Sequence, residues 1–245
     1  MYRKYVPFLL FLFFLYGCNG NKQEEKEDVS VFVDLPQLKA EGEITAVTLY
    51  SSTSYFQYKM QPMGYEYDLI NDFAKSQGLK LNIKVAENPA RLIEMLEAGE
   101  VDVVAYPIPI NNKLKQEVIY CGREDISSQV LIQRANKGDK LLTDVTQLID
   151  KNVYVKPNTK YSERLKNLDE ELGGGIHIQK VENDSIATED LIEMVSLGEI
   201  PYTISDDNTA RLNKTYYWNI NVDLKVSFPQ RSSWVVRKSS PDLAK

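Results

Sequence analysis

At 245 residues the chain is long enough for one or two packed domains, and 43% hydrophobic with 26% charged residues is ordinary globular composition that excludes collagen, coiled coil and full disorder. Lys and Arg number 29 against 35 Asp and Glu, a formal charge of −6, so the clustered basic excess of a nucleic-acid surface is missing and no nucleic-acid partner is expected. Cys18 and Cys121 stand far apart and His177 is the single histidine; neither a disulfide framework nor a metal site can be built from them, and no cofactor is expected.

Arg3 and Lys4 precede an apolar run from Val6 to Tyr16, too short for a bilayer core that takes about 20 residues, so the segment reads as a signal peptide. It ends in Leu15-Tyr16-Gly17-Cys18, which resembles a bacterial lipobox, where a small residue precedes a cysteine that is lipidated and becomes the new N-terminus. Removing residues 1–17 takes away Arg3 and Lys4 and moves the formal charge from −6 to −8. From Lys22 to Asp28 almost every residue is charged and none is aromatic, so residues 18–42 are expected to form a flexible tether from Cys18. A short acidic stretch in this position also resembles signals that send lipoproteins of Gram-negative bacteria to the outer membrane.

Ile44 to Tyr50 is β-rich and suits a buried first strand. Tyr67 to Gln77 places Leu69, Ile70, Phe73 and Ala74 at helical spacing, with Gly78 as a left-handed stop. Leu79 to Val85 alternates as a strand. Asn88 caps a helix that opens on Pro89, carries Leu92, Ile93 and Leu96 on one face and stops at Gly99. Val101 to Ala105 is a short apolar strand, and the strand-helix alternation predicts parallel α/β construction.

The same unit returns later: Leu92-Ile93-Glu94-Met95 recurs as Leu191-Ile192-Glu193-Met194, and Gly99-Glu100 as Gly198-Glu199. Thr188 is expected to cap the second helix, and Tyr202 to Ser205 follows as its strand. Asn152 to Lys156 and Ile176 to Val181 read as further strands around a helix from Thr159 to Leu172, with Tyr161, Leu165, Leu168 and Leu172 on one stripe. Gly173-Gly174-Gly175 is a turn without the spacing of a phosphate loop. Two α/β lobes are implied.

Tyr55 to Leu69, Ala86-Glu87-Asn88-Pro89-Ala90-Arg91-Leu92, Gly99-Glu100-Val101-Asp102, Tyr202-Thr203-Ile204-Ser205-Asp206 and Ser233 to Leu243 together resemble family 3 extracellular solute-binding proteins, the amino-acid-binding group. Within it, Met63-Gly64-Tyr65-Glu66-Tyr67-Asp68-Leu69 and Leu191 to Asp206 are most similar to the regulatory N-terminal domain of membrane-bound lytic murein transglycosylases of the F type, whose catalytic domain is C-terminal and lysozyme-like. The resemblance implies a two-lobed, periplasmic-binding-protein-like fold of type II, each lobe a mostly parallel sheet with flanking helices. Lobe 1 would be residues 43–132 and 227–245, short of its closing helix, and lobe 2 residues 133–226, with crossovers at Ser128 to Gln133 and Ser227 to Val236.

Ligand in such a fold lies between the lobes, and parallel sheets present ligand groups at the carboxyl ends of strands, here the loops after Tyr50, Ala105, Lys156 and Ser205. The resemblance places Tyr55 and Phe56 where relatives set an aromatic ring on the ligand; packing onto their own lobe is the alternative. After Ala105, Tyr106 leads into the stretch where relatives have an arginine that forks onto a carboxylate. That position falls here on Lys113 or Leu114, so the fork is missing. Asn158 and Thr159 match a pair at a helix start that receives a carboxylate, Thr159 serving equally as an N-cap. Asp206 matches the carboxylate that pairs with a ligand ammonium. Cys121 reads as an inert packed thiol, and His177, Glu94 and Glu193 as solvent-facing.

Transglycosylase chemistry needs a carboxylic acid of raised pKa in a sugar groove, which the family opens with a Glu-Ser pair in its separate domain. No Glu-Ser pair occurs in this sequence, so no catalytic residue is expected here. The expected ligand is a small amino-acid-like molecule or muropeptide. The expected partners are a membrane, through the lipid anchor, and a C-terminal transglycosylase domain or, alternatively, an ABC permease. The expected location is the cell envelope of a Gram-negative bacterium, at the outer membrane.

Overall fold

The computed structural model describes residues 33–183 and 186–245; the expected signal peptide, Cys18 and the first part of the tether lie outside the described residues. In chain order come α1 (Leu35–Glu41), β1 (Glu43–Leu49), β2 (Phe56–Tyr58), β3 (Gln61–Met63), α2 (Tyr65–Gln77), β4 (Lys80–Ala86), α3 (Pro89–Glu97), β5 (Val103–Pro109) and β6 (Val118–Ser127). They are followed by β7 (Gln129–Arg134), β8 (Asn152–Val155), α4 (Lys160–Glu171), β9 (His177–Lys180), α5 (Thr188–Leu197), β10 (Tyr202–Asp206), α6 (Asp207–Lys214), β11 (Ile220–Asn221) and β12 (Gln230–Arg237).

Two five-stranded sheets organise these elements, in the orders β4-β1-β5-β12-β6 and β11-β7-β10-β8-β9. Within each, three strands run parallel, as the strand-helix alternation predicts: β4, β1 and β5 in the first, β10, β8 and β9 in the second. The remaining strands are antiparallel additions, β12 against β5 and β6, β7 against β10 and β11. The fold is therefore the expected two-lobed one with mostly parallel sheets.

Each sheet is covered on both faces, which is why inner strands such as β5 and β7 carry buried runs while edge strands such as β4 and β9 do not. In the first lobe Ile44, Ala46, Ile70 and Ala74 meet on one face, and Leu92, Leu96, Val104 and Val235 on the other. In the second, Leu165 and Leu168 of α4 pack with Val153 on one face, and Leu191, Ile192 and Val195 of α5 with Ile132 on the other. The repeated Leu-Ile-Glu-Met phrase is thus the buried stripe of α3 and of α5, with Leu92, Leu191 and Ile192 almost fully enclosed.

Several local expectations need correction. The segment 18–42 is not tether throughout: Leu35–Glu41 is a helix, because Asp34 caps it, Pro36 pre-sets its first turn and Gly42 ends it at φ +82°. Its anchor is tertiary, since the Asp34 carboxylate also accepts the backbone N–H groups of Asp242 (3.0 Å) and Leu243 (2.8 Å). Thr188 does not cap α5; it is the first helical residue, and the Asp190 carboxylate accepts the Ala187 N–H at 2.6 Å instead. Asn88 does cap α3, accepting the Arg91 N–H at 3.1 Å. The chain leaves the first sheet at Ser127 and enters the second at Gln129, so the outgoing crossover is Ser128, earlier than the expected 132/133 boundary.

The returning strand β12 is locked by charge. Arg237, 8% exposed, pairs with Asp102 at 3.1 Å and donates to the carbonyls of Val101 and Leu96. Asp102 uses its other oxygen to accept the Thr45 N–H at 2.9 Å. Among the described residues no helix is long and apolar enough to cross a membrane, and no group of three or more His, Cys, Asp or Glu is placed to hold a metal ion.

Candidate functional site in the interlobe cleft

The carboxyl ends of β1 and β5 in the first lobe, and of β8 and β10 in the second, face one another. From β5 comes Tyr106; from the start of α4, just after β8, come Lys160 and Tyr161; from the end of β10 comes Asp206. Tyr161 donates its hydroxyl to Asp206 Oδ2 at 3.1 Å, and the Lys160 ammonium lies 2.5 Å from the same oxygen, with Nζ 5.5 Å from the Tyr161 ring centroid. Lys160 and Asp206 retain only 20% and 21% of their side-chain exposure.

Burial first, and then the carboxylates of Asp206, Glu189 and Glu66, push the Tyr106 phenol well above its ordinary range. Burial likewise raises Tyr161, with Asp206, Tyr106 and Glu189 adding to the shift. The Tyr106 phenol of the first lobe therefore lies close to the Tyr161 phenol and Asp206 carboxylate of the second, partly withdrawn from water. Tyr161 acts as a hydrogen-bond donor, to Asp206.

The lobes also touch at the rim. Ser52, in the loop after β1, donates its N–H (3.2 Å) and its hydroxyl (3.1 Å) to Glu189 Oε1 in the first turn of α5. At the strands that join the lobes, Gln129 N–H donates to Ser227 Oγ at 2.8 Å and Gln129 Nε2 to Gln230 Oε1 at 3.4 Å.

Of the residues singled out in the sequence, Tyr106 and Asp206 meet in this cleft. Thr159 caps α4: its hydroxyl accepts the Ser162 N–H at 3.3 Å and donates to the Lys156 carbonyl at 2.8 Å. Asn158 precedes it in the left-handed conformation, φ +56°. Tyr55 is buried in its own lobe, edge-on to Tyr67 with ring centroids 5.7 Å apart, and Phe56 begins the β2-β3 hairpin. Lys113 stands exposed before a short 3-10 turn, Leu114–Gln116, and makes no ion pair among the described residues. Lys160, Tyr161, Glu189 and Ser52 escaped sequence reading. Tyr161 carried a signal as part of the apolar stripe of α4, but nothing local links Lys160 to Asp206 or Ser52 to Glu189.

A second concavity, about 270 Å³, lies inside the first lobe against α2, lined by Leu69, Phe73, Cys121, Trp234 and Leu243 around Glu66. Glu66 is 7% exposed and accepts the Trp234 indole N–H at 2.5 Å. Burial, with the charge of Asp125 adding, pushes its carboxyl up to about 7 against the opposing Trp234 hydrogen bond. Burial alone pushes the Cys121 thiol up to about 12, so it is unreactive at neutral pH.

Residues 44–245 match the bacterial extracellular solute-binding proteins, family 3. The chain is 31% identical over 211 residues to membrane-bound lytic murein transglycosylase F of Desulfosudis oleivorans, covering 84% of this chain and 44% of that protein. It is 28% identical to the protein of the same name from Pseudomonas fluorescens, covering 82% and 41%. It therefore spans less than half the length of these curated relatives. Among solved structures, the arginine-bound form of truncated ArgBP from T. maritima superposes with a TM-score of 0.72 at 20% identity, covering 85% of this chain and 94% of that one. The ancestral amino-acid-binding protein AncCDT-1, a precursor of cyclohexadienyl dehydratase, superposes with a TM-score of 0.69 at 20% identity, covering 86% and 88%. With its two mostly parallel sheets and a cleft at their carboxyl ends, the chain belongs to the bacterial extracellular solute-binding proteins, family 3.

Proposed function

We propose that the cleft binds a small amino-acid-type or cell-wall-peptide ligand, and that the domain, lipid-anchored at Cys18 in the envelope of a Gram-negative bacterium, regulates a murein lytic transglycosylase. The observation that carries this reading is Tyr106 of one lobe lying close to the hydrogen-bonded Asp206 and Tyr161 of the other. A ligand that touches groups of both lobes binds the closed state better than the open one and shifts its population. The similarity to transglycosylase F across most of the chain supports a regulatory role.

A stand-alone substrate-binding lipoprotein of an amino-acid ABC transporter is the second reading, supported by the fold likeness to arginine-binding proteins. The cleft is tested by thermal unfolding with the common L-amino acids and with muropeptides released from sacculi. A muropeptide-dependent rise in midpoint that Asp206→Ala and Tyr106→Phe lose is expected; no rise with any of these ligands sinks the cleft as a binding site. Immunoblotting of the native envelope separates the two readings. A band well above 28.1 kDa favours the regulated enzyme, and one near that mass the transport protein.

A further inference from the structure

We infer that Lys160 makes the cleft select N-acylated amino acids or peptides over free α-amino acids, an inference that rests on the cleft being the ligand site. Asp206 is the carboxylate at the end of the central strand β10, the place where an incoming ammonium would pair. In this chain one of its two oxygens, Oδ2, already faces a resident ammonium. The Lys160 ammonium sits 2.5 Å from Asp206 Oδ2, and the same oxygen accepts the Tyr161 hydroxyl at 3.1 Å.

Lys160 is held there by construction. It is the first residue of α4, fixed by the Thr159 cap, and only 20% of its side chain is exposed. A ligand ammonium approaching Asp206 would meet a like charge at contact distance in a site with little water to screen it. If it displaced Lys160 from that oxygen, the half-buried Lys160 ammonium would lose its ion-pair partner.

At the rim, Glu189 Oε1 receives both Ser52 donors. An N-acylated peptide avoids the conflict with the Lys160 ammonium. Its first nitrogen is an uncharged amide, and its carbonyl can accept from Lys160, whose ammonium has three N–H donors and uses one on Asp206. A stem peptide joined to a sugar through an acyl link has this chemistry; a free amino acid does not.

The test is isothermal titration of the full chain with L-alanyl-D-isoglutamine and its Nα-acetyl form. The wild type is expected to bind the acetylated dipeptide at least about tenfold tighter than the free one. Lys160→Met is expected to erase that preference by gaining affinity for the free amine. Lys160→Gln, which keeps a polar group, serves if the Met variant fails to fold, and Lys160→Arg is expected to retain the wild-type preference. Equal affinities in the wild type, a ratio unmoved by the neutral variants, or no binding of either dipeptide by any chain overturns the inference. The muropeptide-dependent thermal shift reports separately on the cleft, so loss of the selectivity is distinguishable from loss of the binding site.

Discussion

Glu189 of the second lobe accepts both the backbone N–H and the hydroxyl of Ser52 of the first, at 3.2 and 3.1 Å. The two residues lie on opposite lips of the cleft and hold it shut at one point. Hydrogen bonds to a charged group contribute roughly 1.5–3 kcal/mol when sheltered and less at an exposed rim such as this one. Glu189→Ala is therefore expected to leave the unfolding midpoint within a few degrees of wild type while widening the ligand-free molecule. Small-angle scattering should register a larger radius of gyration; an identical radius would mean that these bonds do not set the closed population.

Glu66 supplies a pH dependence whose sign follows from its surroundings. Its folded-state pKa is raised from 4.5 to about 7 by burial. The folded chain therefore holds a proton that the unfolded chain has already released over this window. Glu66 contributes its full stability below pH 4.5, and that contribution is lost as pH rises towards 7. Denaturant melts of the wild type should show stability declining across this range and levelling above it. Glu66→Gln, which keeps an acceptor for Trp234, should flatten that part of the profile. A variant as steep as the wild type would exonerate Glu66.

The Arg237–Asp102 pair is enclosed, with side-chain exposures of 9% and 14%. Removing one partner leaves a buried charge without its counter-ion, at a cost of about 3–5 kcal/mol. Arg237→Met should lose about this much, because apolar replacement of the cation strands Asp102. Urea melts would measure this, and a loss under about 1 kcal/mol would show that water reaches the site.

Gly64 ends the β2-β3 hairpin at φ +135°, and a Cβ there would lie 2.3 Å from the Ser54 carbonyl oxygen. Gly42 also has positive φ, +82°, but open space around it. Gly64→Ala is expected to destabilise markedly more than Gly42→Ala, whose penalty is about 1 kcal/mol from conformation alone. Parallel thermal melts of the two variants decide it, equal losses ruling out the steric account.

What was legible in the sequence is what repeats locally. The α3 and α5 stripes announce themselves because apolar residues must recur at helical spacing to reach a sheet, and the same phrase written twice marks two lobes. Asp206 was legible as a strand-end position, whereas Tyr106 was expected just past a strand ending at Ala105 and instead lies at the middle of β5, which runs on to Pro109. α1 was hidden because Leu38 alone is buried along it and its stability comes from Asp34 meeting Asp242 and Leu243 at the far end of the chain. Lys160 and Glu189 were hidden for the same reason: a lysine on a helix reads as solvated until the fold brings a carboxylate to it.

The position of β12 between β5 and β6 has a consequence for the order in which the protein is made. Every strand of the second sheet falls between Gln129 and Asn221, whereas the first sheet is split in two until residues Gln230–Arg237 arrive. A growing chain on the ribosome can finish the lobe it began second before the lobe it began first. A nascent chain halted just short of Gln230 would carry one protease-resistant lobe followed by nothing, and preceded by β6 still waiting for the neighbour it pairs with.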